Sequence, residues 1–283
     1  MSAPQHGKTS FLWALSFMAR KLGLVWPEYV FWPQDDTTDE SFRSMLRTMD
    51  HRELPAEATP SSQLRLSLRG MERWGDRRLF VEEGRDPVFG AVAEDGVSQR
   101  EFNWGVPVCW LMSLPDLGTE DSQFVDLQLD NLIRTRMRSA RSYEGEPLRL
   151  VVALSKADRI PNLPRELREY LKIDPLAAVV KAETALSEMG VEPDRPVLHF
   201  DSKAVQLYLE TLWGVHETIA DWLRTTLTGS LLARRADAHQ ISLRFCLISA
   251  TGSDLRSNGH LAIPWRPRRV LDPLFWALEL GCR

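Results

Sequence analysis

Three stretches of this chain are apolar almost without interruption: "VPVCWLMSL", "PLRLVVALS" and "ISLRFCLIS". Apolar runs without polar alternation are covered on both sides when folded, as a strand inside a parallel sheet is. Each run ends in a polar turn, "PDLGTED", "KADRIP" and "ATGSD" respectively. Residues 121–142, 165–190 and 203–228 carry helical spacing between and beside them. Further strands are expected at "SQLRLSLRG", where Leu64, Leu66 and Leu68 alternate with polar residues, at "RRLFVEE", and briefly at "RPVLHFDS". Strands separated by helices predict an α/β fold, a mostly parallel sheet with helices on both faces. No composition shift or repeat divides the chain, which reads as one domain over 1–283 with an elaborated region after residue 158.

Three more helices complete the outline. Residues 9–23 are helical, with Gly23 as the stop. "DESFRSMLRTMD" places Phe42, Met45, Leu46 and Met49 on one face, within an otherwise polar, proline-punctuated segment from Pro27 to Pro60. "LDPLFWALEL" closes the chain.

Composition narrows the function classes. The 283 residues are 43% hydrophobic with a net charge of -4, which gives no global reason to expect a nucleic-acid partner. The basic clusters 134–138 and 266–269 read as solvated faces or helix ends. No run reaches the roughly 18 apolar residues of a membrane span. The short run "FLWALSFMA" meets Arg20-Lys21 at once and lacks a small-residue cleavage site, so it is not read as a signal peptide. Three scattered cysteines fit a reducing, cytoplasmic setting, and the six histidines form no metal-ligand pair.

Chemistry concentrates at four places, in order along the chain. The first is "GKTS" at 7–10, which resembles the end of a phosphate-binding loop, G-x-x-x-x-G-K-[ST]. In that reading the amides of Gly7, Lys8, Thr9 and Ser10 surround phosphates, Lys8 reaches the β and γ oxygens, and Thr9 holds Mg2+. Ser2 stands where the first glycine belongs, and only six residues precede Gly7. The second is "LPDLGTED", where Asp116 sits at a strand end to hold Mg2+ through water. Against the pattern D-x-x-G, Gly118 falls one residue early, Thr119 takes its place, and Glu120 stands where a water-orienting glutamine is common.

The third is "SKAD". A strand ending in [N/T]-K-x-D reads guanine: the Asp158 carboxylate accepts from N1–H and the exocyclic amine while the Lys156 stem lies along the base. Ser155 replaces the usual asparagine. The fourth is "ISAT", where the Ser249–Ala250 turn is expected to bind the base, a backbone amide of Ala250 or Thr251 meeting guanine O6. Each is weak alone, and turn chemistry or helix capping would account for any one of them. All four stand in order at strand ends, where open α/β sheets bind ligands.

On these motifs, together with "LPAEATPSSQLRLSL" and "RRVLDPLFWALEL", the chain resembles the translation-factor-like GTPases, and among them the bacterial double-GTPase type. The resemblance implies a P-loop sheet flanked by helices, GTP and Mg2+ as ligands, slow hydrolysis, and a switch beside other bacterial regulatory or defence proteins. It also implies a switch threonine just before the second strand. Thr59 is the first choice, with Thr37 and Thr38 behind it. Lys8 and Glu120 are the expected catalytic residues; Arg43, Arg47 and Arg52 lie in the expected switch region without an assigned role. A degenerate GTPase-fold scaffold that binds a protein partner with weak or no nucleotide binding is the alternative. An ATP-using P-loop enzyme fits "SKAD" and "ISAT" poorly.

The strand that normally precedes the phosphate loop is absent from the sequence read here, whether by start-site choice or by truncation. Its loss would leave neighbouring strands with buried amides and carbonyls unpaired. A chain extended upstream is therefore expected to melt at a higher temperature than this one, and coincident melts would refute the idea.

Overall fold

The computed structural model describes residues 7–26, 28–51, 53, 63–82, 107–115, 129–130, 148–189, 201–252, 260–262 and 265–281. The described strands form two sheets of three. In the first, β1 (Val30–Pro33), β2 (Gln63–Arg69) and β3 (Arg77–Glu82) lie side by side and antiparallel. In the second, β4 (Val108–Ser113), β5 (Arg149–Ser155) and β6 (Ser242–Leu247) run parallel in that order. The three apolar runs are thus parallel neighbours. The structure is mixed α/β with a parallel three-stranded sheet; among the described strands a second sheet is antiparallel, since residues 70–76 between β2 and β3 are too few for a parallel crossover.

Every residue of β5 is buried. Its side chains alternate between two cores, as the two-residue period of a strand requires. Val151 and Ala153 join Leu111 of β4 and Cys246 of β6 in one core, with Phe11, Ala14, Leu15 and Met18 of helix α1 (Lys8–Lys21). Leu150, Val152 and Leu154 join Trp110, Met112, Phe245 and Leu247 in the other. Helix α2 (Asp36–Asp50) buries Phe42, Met45 and Met49, three of its four expected apolar positions.

After β5 come α3 (Arg165–Lys172), α4 (Pro175–Glu188), α5 (Ser202–Arg224), α6 (Leu227–Ala238) and, last, α7 (Asp272–Gly281). Helix α5 serves both cores: Val205, Tyr208, Leu209 and Leu212 enter the first, Ile219, Ala220 and Leu223 the second. The single helix expected over 203–228 stops at Arg224, and the Thr226 hydroxyl caps a new one by accepting from Gly229 N at 3.0 Å. Strand β1 was not expected at all. The helix expected over 121–142 and the strand in "RPVLHFDS" fall largely outside the described residues. No helix of the described residues is long and apolar enough to cross a membrane.

A buried polar node ties the C-terminal helix to the rest. Asp272 is fully buried and accepts hydrogen bonds from the hydroxyls of Tyr170 and Tyr208, each at 2.5 Å. Arg269, also buried, donates its amide to Asp174 at 2.5 Å, its Nε to Tyr170 O at 3.0 Å, and its Nη2 to Ile173 O. Its guanidinium lies 3.7 Å from the Tyr170 ring centroid. Arg269 thus departs from the solvated role expected of its cluster. Elsewhere, His216 is buried and accepts from Phe245 N at 3.1 Å through Nδ1.

These two groups titrate in opposite senses. Burial pushes the Asp272 carboxyl up to about 7, whereas an exposed aspartate sits at about 3.9. The folded chain holds that proton more tightly, so this group costs stability as pH rises from about 4 to about 7. Burial, with Arg244 and Arg224 nearby, pulls His216 down to about 4, below its ordinary value of about 6.5. There the unfolded chain holds the proton more tightly, so stability is lost as pH falls from about 6.5 towards 4. The two slopes oppose each other over the same window. Urea unfolding of Asp272→Asn should show stability falling on acidification more steeply than in the parent chain, and His216→Gln the reverse; parallel profiles would contradict both assignments.

Candidate functional site

The turns after β5 and β6 are built as one unit. Ile248 N donates to Leu154 O at 2.9 Å, and Ala157 N returns to Ile248 O at 3.2 Å. Leu114 N, just past β4, donates to Ser155 O at 2.9 Å. The C-terminal ends of all three parallel strands are therefore stitched together. That sets the turn of Lys156 and Asp158 next to the turn of Ser249 and Ala250.

Lys156 is half-buried and takes a left-handed conformation, φ 56°. For a residue with a Cβ that conformation costs on the order of 1–3 kcal/mol, recovered from the surrounding structure. It turns the chain directly from β5 into a single 3-10 turn, Ala157–Arg159, and leaves Asp158 exposed while Ala157 is buried. Ser155, in the asparagine position, is buried.

The Ser249–Ala250 turn is clamped from below. Ser249 and Arg268 exchange backbone hydrogen bonds at 3.1 and 2.9 Å, and Arg266 N donates to Thr251 O at 2.8 Å. Ser249 is buried, and its hydroxyl accepts from Gly252 N at 3.2 Å. Gly252 has φ 60°, and a Cβ there would collide with the Arg266 carbonyl. Ala250 is half-buried.

Gly7 lies at the start of α1 with φ 77°, a conformation glycine adopts without strain. A Cβ on it would meet nothing within 4 Å, so the turn borders open space. Phe11 N closes the first helical bond onto Gly7 O at 2.8 Å. The N-cap residue is Gly7, which has no side chain to cap with, and no acidic residue stands in the first turn of α1. Lys8, Thr9 and Ser10 are all half-buried there. Helix α1 reaches the parallel sheet through the core it shares with Leu111, Val151 and Ala153.

Thr59, Asp116 and Glu120, with Gly118 and Thr119, lie outside the described residues. Of the threonines behind Thr59, Thr38 is fully buried and structural. Its amide donates to the Asp35 carboxylate at 2.7 Å, capping α2, and its hydroxyl accepts from Arg65 N at 3.3 Å. Thr37 is exposed in the same first turn. Arg43, one of the arginines without an assigned role, pairs with Asp39 at 2.7 Å on the surface of α2.

A cleft of about 290 Å³ lies between α5, α6 and the start of β6, lined by His216, Arg224, Ala233, Asp237 and Arg244 among others. It borders residues 242–245, the N-terminal half of β6, and so lies at the end of the strand away from Ser249. Among the described residues no group of three or more histidine, cysteine, aspartate or glutamate side chains could hold a metal ion. No family model, curated protein or solved structure matches the chain.

Replacing Gly252 by alanine should destabilise the chain by about 1–3 kcal/mol through strain at this left-handed position. Urea melts read the loss, and an unchanged midpoint would mean that the clamp yields freely.

Proposed function

We propose that the chain is a P-loop nucleotide-binding protein, and within that class a guanine-nucleotide switch of the translation-factor-like, double-GTPase kind, with slow Mg2+-dependent hydrolysis. The observation that carries this reading is the joined pair of turns holding Lys156, Asp158, Ser249 and Ala250 at adjacent parallel strand ends. An exposed Asp158 can accept two donors from a guanine edge, which adenine does not present. Lys156, where the left-handed turn leaves the strand, would lay its stem along the base.

The Gly7–Ser10 turn supports the phosphate half. A helix N-terminus opened by a left-handed glycine, with a lysine and no acidic residue in its first turn, suits an anion. Lys8 would neutralise charge on the β and γ oxygens, and Thr9 would supply a hydroxyl ligand to Mg2+, with Thr59 and Asp116 as the further metal-binding candidates. Bound Mg2+ would supply charge neutralisation across the phosphates. Glu120 would orient the attacking water.

The alternative is a degenerate scaffold of the same fold. Ser2, the buried Ser155 and the displaced Gly118 favour it.

Titration with fluorescent GTP and ATP analogues in the presence of Mg2+ separates the readings. Saturable binding selective for GTP and reduced at least about tenfold, some 1.4 kcal/mol, by either Lys8→Ala or Asp158→Ala is the expected result. Equal affinity for the two nucleotides would overturn the guanine assignment. No binding to the folded chain, with or without an upstream extension, would favour the scaffold.

A further inference from the structure

Among the described residues, the first sheet packs one face into the core, while the other carries mostly exposed side chains around a buried Ser67. Leu66 and Leu68 are buried on the inner side, with Phe31 and Leu79 packed against them or their neighbours. The strand register places the opposite set together: Val30 stands across from Arg69, Trp32 across from Ser67, and Ser67 across from Arg78. Arg65 follows two residues before Ser67 on the same side. On this outer face Trp32 is 67% exposed and Val30 48%. Arg65, Arg69 and Arg78 are exposed as well.

None of these three arginines makes an ion pair within 4 Å among the described residues. The Asp35 carboxylate feels Arg65 from beyond that distance and is already engaged in capping α2. Trp32 takes part in no ring contact among the described residues, although Trp13, Trp26, Trp74, Trp213, Trp265 and Trp276 all do. A large exposed indole beside three uncompensated guanidinium groups is unusual on a chain of net charge -4.

We propose that this outer face docks an acidic segment of another protein, bound in extended form along β2. Arg65 and Arg69 are four residues apart on one strand, about 13 Å. An extended partner strand has the same repeat, so carboxylates four positions apart would each meet one guanidinium. The residue midway between them would face the same way, over Ser67 and against the Trp32 ring. The recognised pattern is therefore acidic, any, apolar, any, acidic. Arg78 on β3 flanks the track and suits a further acidic group.

Docking falls on the face and not on the open edge of β1. Gln34 N bonds Arg65 O at 2.8 Å, so alternation makes the Trp32 and Val30 pairs the hydrogen-bonded ones. That turns the Phe31 amide and carbonyl and the Pro33 carbonyl outward, and Pro33 ends the strand without an amide donor. A nucleic-acid strand fits less well. It would need successive stacking rings and a longer basic track, whereas one ring and three charges span a short peptide.

The proposal stands apart from the nucleotide reading and is tested without nucleotide. The probe is a dye-labelled peptide with glutamates in the first and fifth places of the motif, phenylalanine in the third, and glycine and serine elsewhere. Its binding to the full chain is followed by fluorescence anisotropy, beside a lysine-for-glutamate peptide, an oligothymidylate and vesicles containing phosphatidylserine. Saturable binding of the acidic peptide is expected, weakened by salt and reduced at least tenfold, about 1.4 kcal/mol, by Trp32→Ala and by the Arg65→Gln/Arg69→Gln pair. Both variants should melt as the parent does, because the substituted side chains are exposed. No saturable binding, indifference to either variant, or equal or tighter binding of the lysine peptide, the oligonucleotide or the vesicles would overturn the assignment.

Discussion

The whole architecture depends on the complete burial of β5. A strand hidden on both faces needs a partner on each side and a layer above and below, and this chain supplies β4, β6 and two separate cores. The polar turn that ends such a strand is the first place the backbone meets solvent. Residues 156–158 occupy that boundary, where Ala157 is buried while Asp158 next to it is exposed. The same burial explains the inert thiol of Cys246, which lies beside Val152 O at 3.8 Å and is pushed well above its ordinary range by desolvation.

The Asp272–Tyr170–Tyr208–Arg269 node holds the other half of this boundary in place. Arg268, which clamps the Ser249 turn, immediately precedes Arg269, whose left-handed backbone is secured by Asp174 and two carbonyls. Strain at Arg269 is offset by the bonds that its amide, Nε and Nη2 make to Asp174, Tyr170 and Ile173. A buried charge that loses its partners is far more expensive than a surface one. The turn next to the candidate site is therefore supported from the interior, through a network of buried side chains centred on the fully buried Asp272.

How much of this was legible in the sequence follows from range. The parallel strands announced themselves because double burial removes polar alternation, a purely local signal. Helix α2 was equally clear from the spacing of Phe42, Met45 and Met49. Strand β1 was hidden, since four residues ending in proline become a strand only by pairing with β2, about 35 residues later in the chain. The break between α5 and α6 did carry a signal, the threonine cap followed by glycine at 226–229, but apolar spacing ran through it. Arg269 looked like a surface cation because its partners are remote: Tyr170 and Ile173 lie 99 and 96 residues away. Of the candidate site, order and strand-end placement were readable, and the bond from Ala157 to Ile248 then joins two turns that sequence could only align. The bond from Arg65 to Thr38 was equally out of reach of the sequence, since it spans 27 residues.

Helix α5 carries a consequence for how the molecule comes apart. Its 23 residues extend about 35 Å and lend one end to each core. Neither core can be exposed without stripping the same rod of its packing, so the two halves share one cooperative transition. Fluctuations that open only a surface turn remain possible, but the floor beneath Lys156 and Ser249 gives way only when both of these cores do. A ligand held there would draw on the stability of all of the protein instead of one lobe.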